Sequence, residues 1–186
     1  MKNKFKVVTT VVGFAVAAAF SANSMAADGT ITINGKITDT TCNISVDGGE
    51  KNATVTLPTV SASSLTAAGV TAGATPFSIS LSDCSGTSLN TATTYFEPGA
   101  YVDSTTGRLN IDKTATDAAT NVQVELLNAD MKSINVGAST VQGQNDIPVD
   151  ISGGNGTLNY FAQYHATGVS TAGSVTTQVD YTMTYE

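Results

Sequence analysis

The stretch Ser174-Val175-Thr176-Thr177-Gln178-Val179-Asp180-Tyr181-Thr182-Met183-Thr184-Tyr185-Glu186 decides the fold class. Val175, Thr177, Val179, Tyr181, Met183 and Tyr185 fall on one face of an extended chain. Thr176, Gln178, Asp180, Thr182, Thr184 and Glu186 fall on the other. That period of two is the pattern of a strand with one face buried and one wet. The stretch runs to the end of the sequence with nothing after it to pair with its far edge, and a long half-apolar edge is an aggregation hazard that proteins cap or cover. A matching pattern stands near the other end, where Ala27, Gly29, Ile31, Ile33, Gly35 and Ile37 alternate with Asp28, Thr30, Thr32, Asn34 and Lys36. A β-segment at a free end and an unpaired apolar edge satisfy each other between molecules by strand addition. Such a head-to-tail contact does not close on itself and generates a fibre.

Between these ends the texture is Thr, Val, Ile, Ser and Ala alternating over short runs, with 17 glycines in the whole sequence and almost no helical periodicity. Strands are predicted at Thr30–Thr38, Thr41–Val46, Ala53–Leu57, Phe77–Leu81, Thr93–Phe96, Arg108–Ile111, Asn121–Leu127, Ile147–Val149, Thr157–Ala166 and Ser174–Tyr185. Asp47-Gly48-Gly49, Thr106-Gly107 and the run from Ser152 to Gly156 supply turns, because Gly and Asn tolerate positive φ. Val60 to Thr75 reads as a connector with Leu65 and Val70 as anchors and at most one helical turn. Short strands separated by turns predict an all-β, two-sheet sandwich with immunoglobulin-like connections.

Lys2, Lys4 and Lys6 precede an apolar run from Val7 to Phe20 and the small residues around Ser24-Met25-Ala26, the layout of a secretory signal peptide. The run is too short to span a bilayer and no second one follows. Cleavage is expected after Ala26, with Ala27 the near alternative. The expected organisation is a signal at 1–26, an N-terminal extension at 27–36 and one β-domain at 37–186. The mature chain carries five basic and fifteen acidic residues, a net charge of −10. Its cations Lys36, Lys51, Arg108, Lys113 and Lys132 are scattered singly, which argues against nucleic acid as a partner. Cys42 and Cys84, in a chain sent to an oxidising compartment, are expected to form a disulfide. A metal pair needs more ligands and a redox pair usually has C-x-x-C spacing.

No catalytic residues and no cofactor or metal ligands are expected. His165, the one histidine, falls on the face of its strand with Asn159, Phe161 and Gln163 and reads as exposed. No Ser nucleophile has an evident partner. Asp146 with Asp150, and Asp112 with Asp117, read as solvated turn charges. The sequons at Asn43, Asn52 and Asn155 read as chance matches in a Thr/Ser-rich bacterial chain, and the Gly153-to-Gly156 run lacks the Lys and helix of a phosphate loop.

The residues resemble the pilin subunits of the chaperone-usher pathway, and among them the major subunits of type 1-like fimbriae. Gly173 and Tyr185 stand where that family has a Gly fourteen residues from the C-terminus and a penultimate Tyr. Cys42 and Cys84 match the family's disulfide spacing, and Gly29, Ile31 and Ile33 resemble its donor strand. The arm before Cys42, Ala27 to Thr41, is shorter than in the best-known members. The resemblance implies an incomplete immunoglobulin-like fold, completed by a donor strand from a neighbouring subunit. Ala27, Gly29, Ile31, Ile33 and Gly35 would be the donor residues, and Gly173, Val175, Val179, Tyr181, Met183 and Tyr185 the strand lining the chaperone and acceptor groove. It implies as partners a periplasmic chaperone, an outer-membrane usher, neighbouring pilins and a tip adhesin, in a cell-surface fimbria serving adhesion. Two rival expectations are a one-domain carbohydrate-binding adhesin, disfavoured by few aromatics and no Trp, and a terminating or minor subunit, disfavoured by the usable arm. An enzyme is a distant third.

Overall fold

The computed structural model describes residues 31–87 and 90–186. The chain divides into two compact units, Met1–Lys36 and Ile37–Glu186. In the first, residues 31–36 have no strand pairing, and Ile31 and Ile33 are each 89% exposed. The strand predicted over Thr30–Thr38 is therefore absent in its described part: alternation assigns faces, but a strand also needs a ladder partner. Ala27, Gly29 and the signal segment lie outside the described residues.

The second unit is all-β. Its strands are β1 (Thr41–Val46), β2 (Thr71–Ser85), β3 (Thr91–Phe96), β4 (Val102–Asp103), β5 (Arg108–Asn110), β6 (Val122–Leu127), β7 (Val149–Asp150), β8 (Gly156–Ala166) and β9 (Tyr181–Tyr185), with single 3-10 turns at Ala62–Ser64 and Gln142–Gln144. They form a six-stranded sheet in the order β1-β2-β8-β6-β5-β4 and a three-stranded sheet in the order β7-β3-β9, every pair antiparallel. The core between them is built from inward residues of both sheets, including Ile79, Leu81, Phe96, Leu109, Val124, Leu126, Leu158 and Tyr160. Tyr160 stacks on Phe77 and meets Phe96 edge-on, both at 5.3 Å between ring centroids. A second cluster of Leu65, Ile111, Ala119, Val122 and Ala166, joined by Val70, bears out the two anchors read in the connector.

Several expectations are corrected. Ala53–Leu57 forms no ladder, although Val55 and Leu57 are half-buried and their neighbours exposed. The connector ends earlier than predicted, because β2 already begins at Thr71. Its register shifts between Ala72 and Thr75 around Gly73, which has φ +70°, and a bulge of small residues hides a strand's alternation. Only Tyr181–Tyr185 of the last stretch is paired as strand. β7 falls at Val149–Asp150 and not at Ile147–Val149, since Pro148 has no N–H to give to a ladder. β4 is too short to show a period in sequence.

His165 is not an exposed strand residue: its side chain is 12% exposed and its Nδ1 lies 3.2 Å from Glu125 Oε2. Glu125 also accepts from Gln163 at 2.8 Å and Ser133 at 2.8 Å, with Arg108 Nε 3.4 Å away. Burial pushes the Glu125 carboxyl up, but the bonds from Gln163, Ser133 and His165 outweigh it and hold it below the usual range. Asp146 is likewise no solvated turn charge. It accepts from Thr94 N at 2.8 Å and from the Tyr160 hydroxyl at 3.0 Å, and burial holds its carboxyl above the usual range.

Cys42 and Cys84 are disulfide-bonded, closing a 42-residue separation and tying β1 to β2 across the connector. Residues 38–40, just beyond the exposed Ile37, pack against the end of β2: Asp39 Oδ1 accepts from Thr87 N at 3.0 Å and Thr87 Oγ1 at 3.1 Å. A Cβ at Gly86 would lie 2.7 Å from Thr40 Cα, so this close approach of backbones requires glycine.

Candidate functional site

The groove beside the last strand follows from where its hydrogen bonds stop. In the stretch before β9, Ser174 N donates to Asp117 O at 2.8 Å, Thr176 O accepts from Asp112 N at 2.7 Å, and Asp180 O accepts from Glu97 N at 2.8 Å. All of these are made by even-numbered residues. Among the described residues, the backbone groups of Val175, Thr177 and Val179 have no hydrogen bond. Opposite them, residues 51–57 are equally unpaired apart from Lys51 O. Two extended segments thus face each other with peptide groups free and no strand between them.

The space they enclose is a groove of about 920 Å³. Val175, Val179, Tyr181 and Met183 line one wall, Val55 and Leu57 the other, and the floor is core: Ile44, Val46, Phe77, Ile79, Phe96, Leu109, Val124 and Leu126. The faces predicted for the last stretch hold with one exception: its odd residues are half-buried and Thr176, Gln178, Asp180, Thr182 and Glu186 are exposed, but Thr184 is half-buried, its hydroxyl donating to Thr93 O at 3.2 Å. None of Val175, Val179, Tyr181 and Met183 is fully buried, because the groove is open above them. The one hydrogen bond between the walls among the described residues is Tyr181 Oη to Lys51 O at 2.8 Å. Burial raises the hydroxyl pKa of both Tyr181 and Tyr185.

The structure brings four of the six groove-strand residues together and sets two apart. Gly173 does not line the groove. It lies where the last stretch crosses residues 117–119, and a Cβ there would collide with Asp117 O and Ala119 N. Tyr185 pairs with Ala92 across β3 and packs on the core. The strand predicted at Ala53–Leu57 is instead part of a wall, and nothing in its alternation signals a missing neighbour. Of the arm, Ile31, Ile33 and Gly35 are described and exposed, and a Cβ at Gly35 would meet nothing within 4 Å.

The arrangement suits uptake of an extended peptide, with unpaired edges to bind its backbone and an apolar floor for every second side chain. Among the described residues no three His, Cys, Asp or Glu side chains are placed to hold a metal ion. No helix among them is long and apolar enough to cross a membrane.

The family model described as type-1 fimbrial protein, A, matches residues 57–186. The F17 fimbrial protein of Escherichia coli is 47% identical over 175 residues, covering 92% of this chain and 94% of its own. The major fimbrial subunit SMF-1 of Stenotrophomonas maltophilia is 46% identical over 172 residues, covering 91% and 98%. Among solved structures, the antigen and type I fimbria protein of Burkholderia pseudomallei aligns with a TM-score of 0.53 at 26% identity, over 80% of this chain and 97% of that one. The P pilus rod subunit PapA aligns with a TM-score of 0.56 at 19% identity, over 77% and 99%, and shows the shared fold.

Proposed function

Since the chain belongs to the type-1 fimbrial protein family and is a structural subunit of a cell-surface pilus, not an enzyme, we propose that its groove takes up the N-terminal arm of a neighbouring subunit as the missing strand. Association with other pilin subunits follows from the family itself. The observation that carries the proposal is the pair of walls, 51–57 and 175–181, with no ladder between them among the described residues and the backbone groups of Val175, Thr177 and Val179 free, over an apolar floor.

Length and chemistry fit. At about 3.3 Å per residue, the seven residues of the 175–181 wall need roughly 23 Å of strand, and the nine from Ala27 to Gly35 extend to about 30 Å. Ala27, Gly29, Ile31, Ile33 and Gly35 present one face to the floor, and the intervening polar residues stay wet. Burying Ile31 and Ile33 contributes about 1.5 to 3 kcal/mol each, and each ladder hydrogen bond about 1 kcal/mol net. Exchange of one strand for another then drives growth without an external energy source. Before assembly the groove is expected to be held by a strand from a periplasmic chaperone, and the exchange to occur at an outer-membrane usher after export of the precursor by its signal. The resulting homopolymer, tipped by an adhesin, supports attachment of the cell.

Expression of the mature chain with and without residues 27–36, alongside a cognate chaperone, tests this. The complete chain is expected to give fibres by electron microscopy and the truncated chain none. Fibres of ordinary length from the truncated chain would contradict the arm's role.

A further inference from the structure

The three-stranded sheet has two sides, and the groove accounts for one. The other is the outer edge of β3, where the chain provides little strand: β7 pairs with Thr91 and Ala92 and then ends. The even-numbered residues of β3 point their peptide groups that way, and beyond Ala92 side chains bond the N–H of Thr94 and both groups of Phe96, whose carbonyl also accepts from Gly137 N at 3.4 Å. Thr94 N donates to Asp146 Oδ2 at 2.8 Å. Phe96 N donates to Gln144 Oε1 at 2.9 Å, and Gln144 Nε2 donates to Phe96 O at 2.7 Å. The Gln144 amide thus makes the donor-and-acceptor pair that a peptide group of a neighbouring strand would make. Gln144 has no exposed surface. Its segment is fixed from behind, with Gln144 O accepting from Asn135 N at 3.0 Å and Asn145 O from Asn128 Nδ2 at 2.8 Å.

In a subunit that also carries an exposed apolar arm, an open edge would offer the arm of another copy a second place to dock. A subunit with two acceptor edges branches or tangles where a fibre requires one. We propose that Gln144 and Asp146 are specificity-determining residues that close the outer edge of β3 to strand addition and leave the groove as the single acceptor. The proposal rests on the strand-acceptor reading of the groove.

Fibres assembled from the full mature chain provide the test, because every internal groove is then filled. A labelled synthetic peptide of residues 27–37 is added to wild-type fibres, to fibres of Gln144→Met, which keeps the side chain's size but neither hydrogen bond, and to fibres of Gln144→Met with Asp146→Leu. Wild-type fibres are expected to take up about one peptide per fibre, at the free terminal groove. The variants are expected to take it up along their length, rising many-fold toward one per subunit in the double variant, with branched or bundled fibres by electron microscopy. Variant fibres of ordinary shape that bind no more peptide than wild type would overturn the proposal. A Gln144→Met subunit that fails to fold, or folds but forms no fibres, overturns it too, by making the amide a requirement of folding or growth and not of edge choice. Fibres from a chain lacking residues 27–36 would instead refute the groove reading, so the two failures are distinct.

Discussion

Ile31→Asp and Ile33→Asp are each expected to stop fibre growth while leaving the subunit domain folded and capturable by its chaperone. Both side chains are 89% exposed in the single chain, so the domain loses no packing when they change. With the arm in the groove as proposed, either side chain would meet the floor that Ile79, Phe96, Leu109 and Leu126 help to form. A carboxylate there forfeits about 1.5 to 3 kcal/mol of burial and adds several kcal/mol for an unpaired charge out of water. A loss of about 4 kcal/mol is already roughly a thousandfold in affinity at each junction, and a fibre repeats the junction at every subunit. The measurement is fibre length by electron microscopy together with the yield of chaperone-bound subunit. Fibres of normal length from both variants would remove these residues from the junction.

Cys42→Ser or Cys84→Ser is expected to cost the domain about 4 kcal/mol through the entropy released to a 42-residue loop in the unfolded chain. That is a large share of an ordinary domain's 5 to 15 kcal/mol, and an open groove leaves this one with less. The bond also fixes β1, whose Ile44 and Val46 form part of the groove floor, to β2. Subunit yield after export should fall severely in either variant, and the urea midpoint of the chaperone-bound subunit should drop. Unchanged yield and midpoint would show that the β1–β2 ladder alone holds the floor.

Much of this was legible in the sequence because it is written as a period of two. β1 was found at its true bounds, β3, β5, β6 and β8 within about two residues, and the odd face of residues 175–185 was assigned correctly. What escaped depends on partners distant in sequence. Ala53–Leu57 alternates like any strand, and only the folded chain shows that no strand among the described residues pairs with it. The bulge at Gly73 masked the start of β2. Asp146 and His165 looked exposed because charge and polarity are read locally, whereas Tyr160, Thr94 and Glu125, which receive them, come from other strands. Gln144 gave no signal at all: a Gln in a Gly-, Asn- and Thr-rich loop reads as solvated, and its burial follows from the ladder position at Phe96 that it occupies.

Thermal unfolding of residues 37–186, alone and with a peptide of residues 27–37, tests most directly whether the domain lacks one strand. Alone, the domain is expected to unfold at low temperature or without a sharp transition. With the peptide in excess it should melt cooperatively and roughly 10 °C or more higher, as several kcal/mol of added binding requires at this size. A sharp, high-temperature transition of the monomer alone, unmoved by the peptide, would contradict the account.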